Sequence, residues 1–313
     1  MAKYRNSLPQ LSDRLFLTDG GIETTMIFNE GLDLPDFAAF HLLRTPDGEA
    51  ALKKYFATYA EIAKRHRAGL ILESATWRAS PDWGERLGYN EKELGDVNRR
   101  AITMLEEIRN EMETETTPMV ISGCIGPRGD GYVADKLMSA DDAKRYHSGQ
   151  MEVFAQSAAD MACAMTINYV EEALGIVRAA QEAEMPVAIS FTVETDGNLP
   201  TGDSLASAID HVDEVTLAYP AYYMINCAHP THFQNILGAG EWRQRIRGLR
   251  ANASSRSHAE LNEAPDVDAG NPEELASQYS ELRHSLTRLN VMGGCCGTDH
   301  RHIERIAEAC ALR

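Results

Sequence analysis

Long apolar runs are missing: no stretch of roughly 18 hydrophobic residues occurs, so the sequence offers no helix suited to crossing a bilayer. The opening MAKYRNSLPQLSDRL has neither an apolar core nor a small-residue cleavage site and does not read as a signal peptide. Positive charge is short as well. Lys plus Arg number 30 against 47 Asp plus Glu, and the formal charge of −17 sets up a field that repels nucleic-acid phosphate and anionic membrane. The expectation is a soluble, cytoplasmic protein acting on a small molecule, with no nucleic-acid or membrane partner. Cysteine is sparse too. The six, at 124, 163, 227, 295, 296 and 310, are too few for a disulfide framework, and a reducing cytosol would leave them as thiols. Phosphate-loop signatures are lacking: no G-x-x-x-x-G-K-[ST] occurs, and the G-x-G of RGDGY is too short to claim. No repeat, low-complexity tract or Pro/Ser linker divides the chain, so a single domain over residues 1–313 is expected.

What is present is 43% apolar residue, enough for a sizeable core, arranged as short apolar runs alternating with longer helical patterns. The runs are 16–21, 69–76, 119–126, 160–167, 186–193, 221–227, 246–254 and 289–296. Helices are expected over 47–67, 90–114, 139–158, 169–184, 202–211, 231–238, 271–285 and 299–311, the third capped by Ser139. Eight strand-helix units in one chain imply an α/β fold with a parallel sheet closed into a (β/α)8 TIM barrel. Two insertions stand out. Residues 22–46, after the first strand, are placed to cover the barrel mouth, and residues 253–274, after the seventh, are polar and rich in turn formers. On the helix over 90–114, Leu94, Val97, Ile102, Leu105 and Ile108 form a face that serves either the core or a homo-oligomer interface.

The barrel gives the cysteines a place. Reactive groups in such barrels sit at the C-terminal ends of strands. Cys227 ends the sixth run and Cys295 with Cys296 ends the eighth, so three thiols converge across one intervening strand. Gly293, Gly294 and Gly297 are expected to let the backbone leave the pleat so that adjacent thiols face one centre. Three thiolates and an open position suit a catalytic Zn²⁺, against the alternatives of inert buried thiols or a vicinal disulfide. Cys124, Cys163 and Cys310 are expected in the core, and His229, His300 and His302 as surface or capping residues. Trp77 and Trp83 offer aromatic faces for a cationic donor or for core packing.

With these residues in place, the chain resembles the zinc-dependent homocysteine S-methyltransferase family. GGCCG after one strand and NC at the end of another carry the resemblance; LTDGGIETTM, ESATWRAS, SGCIGPRGD and SFTVETDGNLPTGDSL extend it over nearly the whole chain. The resemblance implies a barrel methyltransferase with Cys227, Cys295 and Cys296 as zinc ligands. It implies transfer of a methyl from a small sulfonium or quaternary ammonium donor to homocysteine, giving methionine. Asp19 would accept from the substrate ammonium, and amides around Gly20, Gly21 and Gly123 would approach its carboxylate. Thr76, Thr166 and Asn226, near strand ends, complete the implied contacts. One position departs: family members end the fourth strand in Glu-Thr-[IML]-Pro, and this chain reads Met165-Thr166-Ile167-Asn168. Either Glu73 or Glu194 replaces the missing acid, or the acceptor is a different thiol. A barrel zinc hydrolase is disfavoured by the scarcity of strand-end histidines, while a noncatalytic zinc- or thiol-binding protein stays open as an alternative.

Overall fold

The computed structural model describes residues 1–262 and 266–311. Its strands are β1 (Phe16–Leu17), β2 (Gly69–Glu73), β3 (Met119–Ile125), β4 (Met161–Ile167), β5 (Val187–Phe191), β6 (Tyr222–Asn226), β7 (Ile246–Ala251) and β8 (Val291–Gly294). All neighbours pair in parallel, and Phe16 opposite Val291 closes the ring, so the expected eight-stranded barrel is what forms. Every strand falls inside an apolar run because both faces of a barrel strand are buried, one by the interior and one by helices. Phe16, Ile71, Val120, Met161, Ala188, Tyr222 and Val291 fill the interior. The alternate residues, among them Leu17, Leu70, Leu72, Ile121, Ile189, Ile225 and Leu249, pack in the outer layer.

The principal helices are α1 (Pro46–Arg65), α2 (Glu91–Met112), α3 (Ala140–Ala155), α4 (Val170–Glu182), α5 (Leu205–Thr216), α6 (Pro230–Phe233), α7 (Pro272–Ser285) and α8 (His300–Cys310). Ser139 caps α3 as expected, its side chain accepting from the Asp142 N–H. Two helices differ from the sequence expectation. α5 starts three residues later than expected and runs five further, to Thr216, because Leu205, Ala208, Ile209 and Val212 continue one buried stripe. α6 is a single turn that ends at Phe233 where a helix to 238 was expected. On α2, the face of Leu94, Val97, Ile102, Leu105 and Ile108 is buried within the chain, which assigns it to the core.

The N-terminal end of the barrel is sealed by the chain's first residues. Leu8 and Gln10 are buried, and Asn290 donates to the carbonyls of Gln10, Ser12 and Arg14. Asp160 accepts from the backbone N–H groups of Lys3, Tyr4 and Ile121 and pairs at 2.8 Å with Arg109 of α2. At the opposite end, inward positions turn polar, with Glu73, Ser122, Ser190, Asn226 and Arg250 all buried. No helix among the described residues is long and apolar enough to cross a membrane. Of the second insertion, residues 263–265 lie outside the described residues.

Candidate functional site

The ends of β6 and β8 bring three sulfurs together: those of Cys227, Cys295 and Cys296 all lie within 4.8 Å of one another. Cys227 and Cys295 stand 5.4 Å apart at Cα with their sulfurs in contact. Cys124, Cys163 and Cys310 are buried free thiols. Burial pushes the Cys296 thiol up while the Tyr132 hydroxyl, 3.3 Å from its sulfur, opposes, so an unliganded thiol here stays protonated.

Two residues beside the sulfurs hold backbone conformations that L side chains rarely adopt. Thr166 has φ 62° and Cys227 φ 54°, a region that costs on the order of 1–3 kcal/mol. Asn226 holds the first. Its Oδ1 accepts from the Thr166 N–H (2.9 Å) and the Ser190 hydroxyl (2.6 Å), and its Nδ2 donates to Thr166 Oγ1 (2.8 Å). Thr166 and Asn226, both expected to touch substrate, are thus bonded to each other beside Cys227. Thr76 is similarly engaged, donating to the Cys124 carbonyl at 2.7 Å. Gly123 faces Phe154 of α3, on the helix side of β3, so it does not reach the mouth as expected.

The glycines around the cysteines act differently from expectation. Gly293 and Gly294 remain within β8, and a Cβ on either would collide with Thr18 or Thr298. Close packing requires them; only Gly297, at φ +77°, provides the turn. Gly21 donates to the Thr298 carbonyl at 3.1 Å, and both Gly20 and Gly21 line a cavity of about 110 Å³ with Ile22, Glu23, Thr24, Phe28, Phe37, Arg250, Cys295 and Cys296. The first insertion therefore does wall the mouth.

Asp19 is buried next to Gly20 and Arg250 of the cavity wall, with its carboxylate already bound. Arg250 Nη1 donates to Oδ1 at 2.6 Å and the Tyr55 hydroxyl to Oδ2 at 2.9 Å. Arg250 also donates to the carbonyls of Gly294 and Gly20. Burial pushes Glu23 up to about 7, with Asp19 adding to the shift and Arg250 and Arg78 opposing it. Glu73 rises to about 7 for the same leading reason, and neither of its oxygens has a hydrogen-bond partner. Glu194 is more than one-third exposed and sits 3.5 Å from His258, whose Nε2–H donates to the Cys227 carbonyl at 2.5 Å.

Sequence reasoning missed Glu23, Tyr55, Tyr132, Arg250 and His258. Tyr132, at the sulfurs, and His258, at the Cys227 carbonyl, pack ring against ring at 4.0 Å from segments far apart in sequence, a proximity that residue spacing cannot reveal. Arg250 carried one signal, a charge inside an apolar strand run. The expected histidines behave as expected: His229 caps α6, His302 completes a capping box with Asp299, and His300 is exposed. Trp77 and Trp83 flank the Arg78 guanidinium, 4.0 and 3.7 Å from their ring centres, so the chain's own cation occupies those faces.

A closed (β/α)8 barrel with three cysteine sulfurs at its C-terminal mouth defines, with the matches that follow, a methyltransferase of the thiol-acting class. A family model described as homocysteine S-methyltransferase matches residues 16–310, and the chain belongs to that family. Homocysteine S-methyltransferase 4 of Zea mays is 26% identical, the alignment covering 94% of this chain and 88% of the relative. Homocysteine S-methyltransferase YbgG of Bacillus subtilis is 24% identical over 94% and 93% respectively. The crystal structure of the metallated homocysteine methyltransferase MmuM from Escherichia coli shares the fold. Its TM-score is 0.73 at 17% identity, over 97% of this chain and 98% of that one.

Proposed function

We propose that this protein transfers a methyl group from a small sulfonium or quaternary ammonium donor to the thiol of homocysteine, giving methionine, with Zn²⁺ held by Cys227, Cys295 and Cys296. The convergence of those three sulfurs within 4.8 Å carries the reading. An all-sulfur donor set suits a borderline-soft, redox-inert cation, and three protein ligands leave a position for the acceptor. When bound, Zn²⁺ supplies the Lewis acidity that keeps an acceptor thiol deprotonated at neutral pH. Holding it requires all three cysteines as thiolates.

The chain's own residues supply the rest. The Cys227 N–H donates to the Arg250 carbonyl and Asn252 donates to the Cys227 carbonyl, which fixes that backbone, and Tyr132 offers its hydroxyl to the sulfurs of Cys227 and Cys296. Phe28 and Phe37 line the cavity and limit water at the reacting atoms. The acceptor sulfur attacks the methyl carbon in line. A sulfur–carbon bond forms as the donor's carbon–sulfonium or carbon–ammonium bond breaks; the leaving group departs with the bonding pair as a neutral thioether or tertiary amine, and the thiol proton goes to solvent. S-methylmethionine, S-adenosylmethionine and betaine each fit that scheme.

Met165 in place of an acid, together with the engaged carboxylate of Asp19, favours a second reading in which a different thiol is the acceptor or is bound without turnover. Mass spectrometry of the reduced, zinc-loaded protein with homocysteine and each donor separates the two. Methionine formed with one donor supports the first reading; one equivalent of bound zinc with no methionine from any donor supports the second.

A further inference from the structure

Homocysteine carries an ammonium as well as a thiol, and a site that selects it must answer that positive charge. Asp19 is not free to do so. One of its oxygens holds the Arg250 guanidinium and the other the Tyr55 hydroxyl, so Asp19 and Arg250 form a neutral, buried pair of which Arg250 lines the cavity. Glu194 turns to His258. Glu73 projects into the barrel interior, where Ser122 and Cys163 flank it, and it does not line the cavity that contains Cys295 and Cys296.

Glu23 does line it. It lies on the helical turn Ile22–Thr24 that follows β1, half-buried, and among the described residues its carboxylate takes part in no side-chain hydrogen bond or ion pair. Of the cations that sense it, Arg250 is bound to Asp19, and Arg78 is sandwiched between Trp77 and Trp83 with Nη1 donating to the Gly129 carbonyl. An enclosed carboxylate without a partner is costly unless a ligand supplies one. In a cavity this small, an acceptor whose sulfur reaches Cys295 and Cys296 brings the rest of its short chain against the same walls.

Resting on the methyl-transfer reading above, we propose that Glu23 binds the ammonium of the acceptor amino acid and is the residue by which this site distinguishes an amino thiol from a plain mercapto acid. Asp19 is then a positioning residue that holds Arg250.

The test compares homocysteine with 4-mercaptobutanoate, the same molecule without its amino group, by calorimetric binding to the reduced, zinc-loaded protein. Glu23→Gln keeps size and shape and breaks no contact within the protein. The wild type is expected to favour homocysteine on the order of 30-fold, the scale of a charge-assisted hydrogen bond. Glu23→Gln should bring the ratio near unity through weaker homocysteine binding alone. A ratio unchanged by the substitution, equal loss of both ligands, or a wild type with no preference would overturn the assignment. Thioether formation is followed separately in the same samples, so selective binding without product would sink the methyl-transfer reading and leave Glu23 as the ammonium anchor.

Discussion

At the scale of single residues, the mouth of this barrel contains acids whose settings differ sharply. Asp19 is ion-paired, Glu23 faces a cavity, and Glu73 is enclosed with no partner for either oxygen. Glu73 has a measurable consequence. Its folded-state pKa of about 7 stands above the ordinary 4.5 because burial disfavours the charged form; Asp19 adds to this, and Arg250 opposes it. The folded protein therefore holds this proton more tightly than the unfolded chain does, and stability contributed here is lost as pH rises from about 4.5 to about 7. Glu73→Gln removes the dependence. Its stability relative to wild type should climb across that window and level off above it, by at most about 3 kcal/mol, in urea unfolding at a series of pH values. A difference that stays flat with pH would rule out the buried charge as the cause.

At the scale of elements, β8 shows how backbone packing builds the site. Gly293 lets β8 lie against Thr18 and Asp19 of the β1 end, and Gly294 against Thr298. Gly293→Ala forces these apart and should cost about 1–3 kcal/mol as overpacking does. It should also lower metal occupancy, because Cys295 and Cys296 follow directly; chemical denaturation together with metal analysis reads both effects. The strands were legible in the sequence because barrel strands are apolar on both faces, and so were the cysteine positions, since strand ends mark the mouth. The single-turn α6 was not, as the residue pattern continues as a helix to 238 while the chain leaves it at Phe233. Tyr132 and His258 were not legible either, because they reach Cys227, one at its sulfur and one at its carbonyl, from segments far apart in sequence. Glu23 stood within a recognised motif without a role, and only the cavity wall gives it one.

At the scale of the whole molecule, the two ends of the barrel divide the work. The N-terminal end is tied shut by Asp160, which gathers the chain start, β3 and Arg109 of α2. Arg109 and Asp160 are both buried, so Arg109→Ala leaves an unpaired buried carboxylate and should cost about 3–5 kcal/mol. Denaturant midpoints of the wild type and variant check this, and a loss below about 1 kcal/mol would mean that the carboxylate relaxes into water. The C-terminal end carries the sulfurs, the cavity and the unpaired acid. The central claim is that Cys227, Cys295 and Cys296 hold one Zn²⁺ with a position open to the acceptor's sulfur. Zinc-edge X-ray absorption on the reduced, loaded protein tests it most directly. The expected result is three sulfurs at about 2.3 Å before homocysteine is added and four after it. A first shell with fewer than three sulfurs, or one that homocysteine leaves unchanged, would contradict the claim.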